Sequence, residues 1–286
     1  MICALCPRDC HAVRTERDGG GVCGMPSRAV VAKAMTHRWE EPCLTGEHGA
    51  GAVFFAGCSL QCGYCQNRAI SRPGGAWKPV DTAGLRGIFR DLIARGAACL
   101  DLVTPTHFTP FIREALRGED WPLPVVWNSS GYEKVETLRT LETLVQVYMP
   151  DLKYALPGPA ERYSGASDYF RWAAPAILEM FRQTGPYRME RGQLVSGVLV
   201  RHLILPGEME NTRRVIDWLS RTFRPGDVLF SLMRQYTPQP GAAGNLARRV
   251  TGGEYRAAVA YAQNCGITDG YTQDAASAVA DYTPDF

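Results

Sequence analysis

The sequence predicts an α/β fold: a partial (β/α)6 TIM-like barrel preceded by a cysteine-rich N-terminal extension. Three observations point there. From residue 52 onward, short apolar β-prone runs alternate with longer amphipathic segments, the pattern of βα units around a parallel sheet. Nearly every apolar run ends on a reactive or hydrogen-bonding group, and the carboxyl ends of parallel strands are where sites form. Residues 1–51, in contrast, are rich in Gly, Cys and charge and show no sustained helical or strand period. The expected division is a metal-binding extension over 1–51 and a barrel domain over 52–286.

Taken in order, the strand candidates are 52–57, 99–104, 124–129, 145–150, 197–205 and 227–232, with a seventh short strand near 266–271. Helical candidates between them are 82–95, 108–116, 134–144, 174–183, 212–222 and 254–263. Six units are too few for a complete eight-unit barrel but suit an open one of the same handed design. A doubly wound sheet is the alternative. The polar strand endings favour the barrel: Cys58; Thr104, Thr106 and His107; Asn128, Ser129 and Ser130; Asp151 and Lys153; Gln235 and Tyr236. The fifth strand carries Arg201 and His202 inside its run instead.

Composition narrows the function classes. Of 286 residues, 45% are hydrophobic and 21% charged, enough to bury a substantial core. Lys and Arg total 31 against 29 Asp and Glu, so the net charge of +2 gives no reason to expect nucleic acid or an anionic membrane as a partner. No apolar run approaches the ~20 residues that span a bilayer, and the N-terminus lacks a signal-peptide core. A cytoplasmic location is expected. Seven of the ten cysteines fall in two groups, Cys3/Cys6/Cys10/Cys23 and Cys58/Cys62/Cys65, while Cys43, Cys99 and Cys265 stand alone. In a reducing compartment such grouping points to two metal sites rather than to disulfides.

The segment from Gly57 to Asn67 places Cys58, Cys62 and Cys65 at C-x3-C-x2-C spacing on the loop leaving the first barrel strand. One short loop can then wrap a cube of iron and sulfide. A 4Fe-4S cube normally takes four thiolates, so three leave one iron open for substrate chemistry. Three buried cysteines, or zinc with a distant fourth ligand, are the alternatives.

This motif, with aromatic Tyr64 just before the third cysteine, resembles that of the radical S-adenosylmethionine superfamily. More narrowly, the chain resembles relatives of pyruvate formate-lyase activating enzyme that carry an N-terminal four-cysteine segment. The stretches that carry the likeness include Cys3 to Cys10, Val22-Cys23-Gly24, His37 to Pro42, Phe54 to Cys58, Leu102 to His107, Trp127 to Tyr132, Pro150 to Tyr154 and Arg201 to Gly207. The resemblance implies a six-unit partial barrel and an open iron chelated by the amino and carboxylate groups of S-adenosylmethionine. One-electron reduction, from reduced flavodoxin or ferredoxin, then gives a 5'-deoxyadenosyl radical that abstracts hydrogen. The substrate is a protein, a peptide or a small molecule, with glycyl-radical activation as one option.

Around that cofactor the strand ends supply the candidates. Where the superfamily often carries Gly-Gly-Glu, this chain has Thr104-Pro105-Thr106-His107, whose Thr hydroxyls can accept from an ammonium group. Asn128 and Ser129 suit ribose hydroxyls or a carboxylate. Asp151 and Lys153 lie two apart, so strand geometry points both to one face, and activating enzymes carry a similar Asp-x-Lys. Arg201 and His202 point to opposite faces, so one of them faces the site, and either can meet a carboxylate. Tyr64, beside the cluster cysteines, joins this set.

Cys3, Cys6, Cys10 and Cys23 form C-x2-C-x3-C-x12-C, enough for a closed tetrahedral zinc site or for a second, saturated 4Fe-4S cluster. A non-catalytic protein with two structural zinc sites is the competing function. It leaves the polar strand ends without a role.

Overall fold

The computed structural model describes residues 2–75, 77–274, 284 and 286. Among them are nine strands: β1 (Val31–His37), β2 (Ala50–Phe55), β3 (Leu100–Val103), β4 (Val125–Ser129), β5 (Val147–Pro150), β6 (Arg188–Glu190), β7 (Gln193–Leu203), β8 (Leu229–Met233) and β9 (Gly270–Thr272). The sheet order is β1-β2-β3-β4-β5-β7-β8-β9, with β6 off the path beside β7. Every pairing from β2 through β9 along that path is parallel. The α-helices are α1 (Pro42–Thr45), α2 (Arg68–Ser71), α3 (Thr82–Ala94), α4 (Thr109–Leu116), α5 (Val135–Arg139), α6 (Pro157–Ser164), α7 (Tyr169–Thr184), α8 (Met209–Thr222) and α9 (Gly252–Asn264). This is the partial α/β barrel, and all six expected strands are present as β2, β3, β4, β5, β7 and β8.

Parallel strands covered on both faces read as unbroken apolar runs, which is why they were visible. Val53, Phe55, Leu100, Leu102, Trp127, Val198 and Val200 are buried in one continuous core. Helices close it with apolar stripes: Leu85, Phe89 and Leu92 on α3, and Val215, Ile216 and Leu219 on α8. Capping sets where helices begin. The Asp81 carboxylate accepts from the Gly84 N–H at 2.7 Å ahead of α3, and Thr251 and Glu254 form a reciprocal capping box ahead of α9.

Strand β1 lies in the stretch expected to have no strand period. It is an edge strand, antiparallel to β2, bulged between Val31 and Lys33 and half-buried along most of its length, so its apolar pattern is weak. The boundary expected after residue 51 falls inside β2. Helix α7 begins at Tyr169, ahead of the expected 174, and runs through Pro175.

The extension folds back on the loop that follows β2. Gln61 Nε2 donates to the Val22 carbonyl at 2.6 Å, Lys134 meets Asp9 at 2.8 Å, and Thr137 donates to the Leu5 carbonyl. Gly57, with φ +77°, makes the turn into the cysteine loop, and a Cβ there would overlap Met25 of the extension. Only glycine fits that position. No described helix is long and apolar enough to cross a membrane.

Candidate active site

A cavity of about 210 Å³ lies at the carboxyl ends of the barrel strands. Cys58, Cys62, Cys65 and Tyr64 line it from the loop after β2, and Thr104, Asn128, Ser129, Asp151, Lys153 and Arg201 line it from the strand ends. Five separate segments of chain thus converge on one space.

Cys62 is buried and Cys58 and Cys65 are partly so. Burial raises the Cys58 thiol above its usual range, and burial with the neighbouring thiols pushes Cys65 up to about 12. Such thiols ionise when a cation displaces their protons. Lys153 opposes the rise at both, so its ammonium stands near the sulfurs. Among the described residues no three His, Cys, Asp or Glu side chains are arranged to hold a single metal ion. The chemistry of the donor set, three soft thiols on one wall of a cavity, fits an iron-sulfur cube.

The floor is organised by Arg201. Its Nε donates to Asp151 Oδ1 at 3.1 Å, Nη1 to Glu40 Oε1 at 3.0 Å and Nη2 to Asn128 Oδ1 at 2.6 Å. Lys153 pairs with the other Asp151 oxygen at 2.6 Å. Burial alone would raise Asp151, but the two cations more than offset it and hold the carboxyl below its usual range. Asp101, fully buried on β3, is raised well above its usual value by burial and then by the nearby Glu40 charge. Its Oδ2 accepts from Asn128 at 3.4 Å, and its Oδ1 has no hydrogen-bond partner among the described residues.

Glu40 and Asp101 were missed in the sequence. Asp101 carried a signal, because a carboxylate in the middle of an apolar strand must be paired or protonated. Glu40 follows the strand that was also missed; it lies in the His37 to Pro42 stretch of the resemblance but was not singled out there.

Three of the candidates are placed differently from expectation. The Thr106 hydroxyl is buried and donates to Glu133 Oε1 at 2.9 Å, away from the cavity. Ser129 lines the cavity but spends its hydroxyl on Glu133 Oε2 at 2.6 Å. Trp127 Nε1 completes this set at 2.9 Å, so Glu133 ties the end of β4 to the turn after β3. His202 also turns away, with its ring between the Leu152 carbonyl and the Thr212 hydroxyl, at 2.7 and 3.0 Å. Of the pair Arg201 and His202, Arg201 faces the cavity. His107 braces the Ala56 carbonyl at 2.8 Å. Thr104 has φ +60°, an uncommon conformation for a β-branched residue, and it sits at the cavity wall.

The N-terminal cysteines gather separately. Cys3, Cys6 and Cys23 are buried and Cys10 is exposed. Cys6 is pushed up to about 12 by burial, and the Cys3, Cys23 and Cys10 thiols add to the rise. The Cys3, Cys23 and Cys10 thiols are thus close enough to Cys6 to act on it, but the four are not arranged around a single metal position. Arg14, itself buried, donates to Cys3 Sγ at 3.4 Å and to the His107 carbonyl at 2.8 Å.

Glu41, beside Glu40, is lifted from 4.5 to about 7 by burial, with Arg201 opposing. A raised carboxyl contributes stability that is complete below its unfolded pKa and lost as pH rises through the folded one. The rise from 4.5 to about 7 corresponds to about 3 kcal/mol lost as pH climbs through that range. Glu41→Gln is expected to remove that part of the slope. Urea titrations of both proteins at pH 5 and 8 test this, and parallel slopes would refute it.

No protein-family model matches the chain. The uncharacterized protein MJ0674 of Methanocaldococcus jannaschii is 27% identical over 283 residues, covering 93% of this chain and 75% of that protein. Among solved structures, Streptococcus suis SuiB bound to S-adenosylmethionine overlaps with a TM-score of 0.50 at 13% identity, over 76% of this chain. The chain spans about half of SuiB, 48% of its length, and the likeness is one of fold. QueE from Escherichia coli overlaps with a TM-score of 0.46 at 9% identity, over 86% of this chain and 94% of QueE.

Proposed function

We propose that this chain is a radical S-adenosylmethionine enzyme whose cluster is held by Cys58, Cys62 and Cys65. The observation that carries the reading is the meeting of those three thiols with the polar ends of β3, β4, β5 and β7 in one cavity. When bound, the cluster supplies the electron that cleaves the sulfonium of S-adenosylmethionine, giving a 5'-deoxyadenosyl radical that takes hydrogen from the substrate. The fold shared with SuiB, whose structure holds S-adenosylmethionine, supports the same reading.

The residues of this chain have separable roles. Cys58, Cys62 and Cys65 bind, leaving the cavity side open. Lys153 offers a buried cation beside the sulfurs and is anchored by Asp151. Arg201 fixes Asp151, Glu40 and Asn128, so polar groups on the floor are positioned before any ligand arrives. Thr104 and Tyr64 complete the wall around the cofactor.

The electron donor is a reduced flavodoxin or ferredoxin. The substrate is a protein, peptide or small molecule, and glycyl-radical activation stays among the options through the resemblance to activating enzymes. Cys3, Cys6, Cys10 and Cys23 hold zinc or a second 4Fe-4S cluster. Anaerobic incubation of the reconstituted chain with dithionite and S-adenosylmethionine is expected to yield 5'-deoxyadenosine. Absence of that product from a fully loaded protein, with candidate substrates present, would defeat the proposal.

A further inference from the structure

The loop that carries Cys58, Cys62 and Cys65 is held from outside by two segments far away in sequence. Arg8, between Cys6 and Cys10 of the extension, donates from Nε to the Ser59 carbonyl at 2.8 Å and from Nη2 to the Leu60 carbonyl at 3.2 Å. The same guanidinium donates to the Ser164 carbonyl at 2.7 Å and to the Gly165 carbonyl, at the end of α6. Gly63 of the loop donates to the Tyr163 carbonyl at 2.8 Å. One arginine thus joins the cysteine loop to the end of α6, four carbonyls meeting a single planar fork of donors. Arg8 lies two residues from both Cys6 and Cys10, so the clamp is continuous in sequence with the N-terminal thiols.

What the clamp places is a hydroxyl. Ser164, buried, donates from Oγ to Cys62 Sγ at 3.1 Å. The Tyr154 hydroxyl is 2.7 Å from Ser164 Oγ, and the Tyr64 and Tyr154 hydroxyls are 3.0 Å apart. With Cys62 as a thiolate, which can only accept, three hydroxyl hydrogens must serve three contacts. Ser164 spends its one hydrogen on the sulfur, so its oxygen accepts from Tyr154, whose hydroxyl also faces Tyr64. A directed chain of this kind strengthens its last bond.

We propose that Ser164 is a positioning residue that sets the reduction potential of the cluster through Cys62, and that Arg8 of the N-terminal cysteine segment holds it in place. This inference rests on the radical-enzyme reading. The reduced cluster carries one more negative charge, shared with its sulfurs, so a hydrogen bond to Cys62 stabilises the reduced state more than the oxidised one. The unit thereby raises the potential and eases one-electron reduction. It also gives the extension a route to the radical site: whatever orders Cys6 and Cys10 orders Arg8, and Arg8 fixes the donor.

The test is a potentiometric titration, followed by electron paramagnetic resonance, of the anaerobically reconstituted full chain without S-adenosylmethionine. Ser164→Ala is expected to lower the midpoint by ~59 mV, a tenfold change in the reduced-to-oxidised ratio of a one-electron couple. Ser164→Thr keeps the hydroxyl and is expected to titrate with the wild type. Arg8→Ala should move the midpoint the same way by a smaller amount, and so should Tyr154→Phe, which covers the case that Ser164→Ala does not fold. A Ser164→Ala midpoint equal to wild type at full iron content overturns the inference alone, as does a Ser164→Thr midpoint displaced as far as that of Ser164→Ala. A wild type that takes up no cluster overturns it together with the reading beneath it.

Discussion

Alanine at any one of Cys58, Cys62 or Cys65 is expected to reduce 5'-deoxyadenosine formation to the uncatalysed background. Each thiolate accounts for one of only three protein ligands to the cube, and a cluster left with two has lost the geometry that keeps a single iron open. Nothing nearby substitutes: among the described residues the other cavity-lining groups at the strand ends already hold one another, Asp151 with Lys153 and Arg201, Asn128 with Glu40. Iron analysis separates loss of the cluster from loss of turnover. In the triple variant Cys58→Ala/Cys62→Ala/Cys65→Ala, the metal that remains belongs to Cys3, Cys6, Cys10 and Cys23. About one zinc, or about four irons, then identifies that group. Cys265→Ala, on the far side of α9 from the cluster loop in sequence and outside the cavity, is the matched control and should retain wild-type product formation. A Cys62→Ala protein that still cleaves S-adenosylmethionine at the wild-type rate would remove these cysteines from the chemistry.

The cluster cysteines and the barrel strands were readable for related reasons. Ligand spacing is local, and a strand buried on both faces leaves a continuous apolar run in the sequence. That Asp151 and Lys153 share one face was readable too, because residues two apart in extended chain point the same way. What could not be read were choices settled by partners distant in sequence. Thr106 and Ser129 have the right chemistry for a cofactor, but Glu133 claims both hydroxyls. Gly131, at φ +72°, makes the turn between β4 and Glu133. The choice between Arg201 and His202 was made by register. Asp151 bridges to Arg201 across the gap between β5 and β7, which sends Arg201 to the floor and His202 toward Thr212. Glu40 follows a half-buried edge strand whose own pattern is weak. The pocket's chemistry was therefore legible as a list of side chains before it was legible as a set of contacts.

That contact set makes Arg201 the residue whose loss should be felt most widely in stability. Its side chain is 14% exposed and donates to Asp151, Glu40 and Asn128. Arg201→Met keeps the length and the apolar stem but leaves two carboxylates without their shared cation. Removing one partner of a buried ion pair costs roughly 3–5 kcal/mol, because the remaining charge stays desolvated. Arg201→Lys should recover only part of this, since an ammonium cannot span the three acceptors that the guanidinium fork reaches. The loss should also depend on pH. Asp151 is depressed in the fold, so its stabilisation is present above its unfolded pKa and disappears as pH falls through the folded value. Asp101 and Glu41 are raised by burial, with Arg201 holding each of them lower. Without Arg201 both rise further and cost more stability as pH climbs. The Asp151 part changes only below the usual carboxylate range, so between pH 5 and 8 the trend comes from Asp101 and Glu41, and the gap between wild type and Arg201→Met should be widest near pH 8 and shrink toward pH 5. Adding Glu40→Gln to Arg201→Met should return part of the loss, because the double variant no longer buries the unpaired charge. Denaturant unfolding of wild type, Arg201→Met, Glu40→Gln and the double variant at the two pH values decides the matter. An Arg201→Met deficit that is constant with pH, together with strict additivity in the double variant, would show that the guanidinium acts by packing alone.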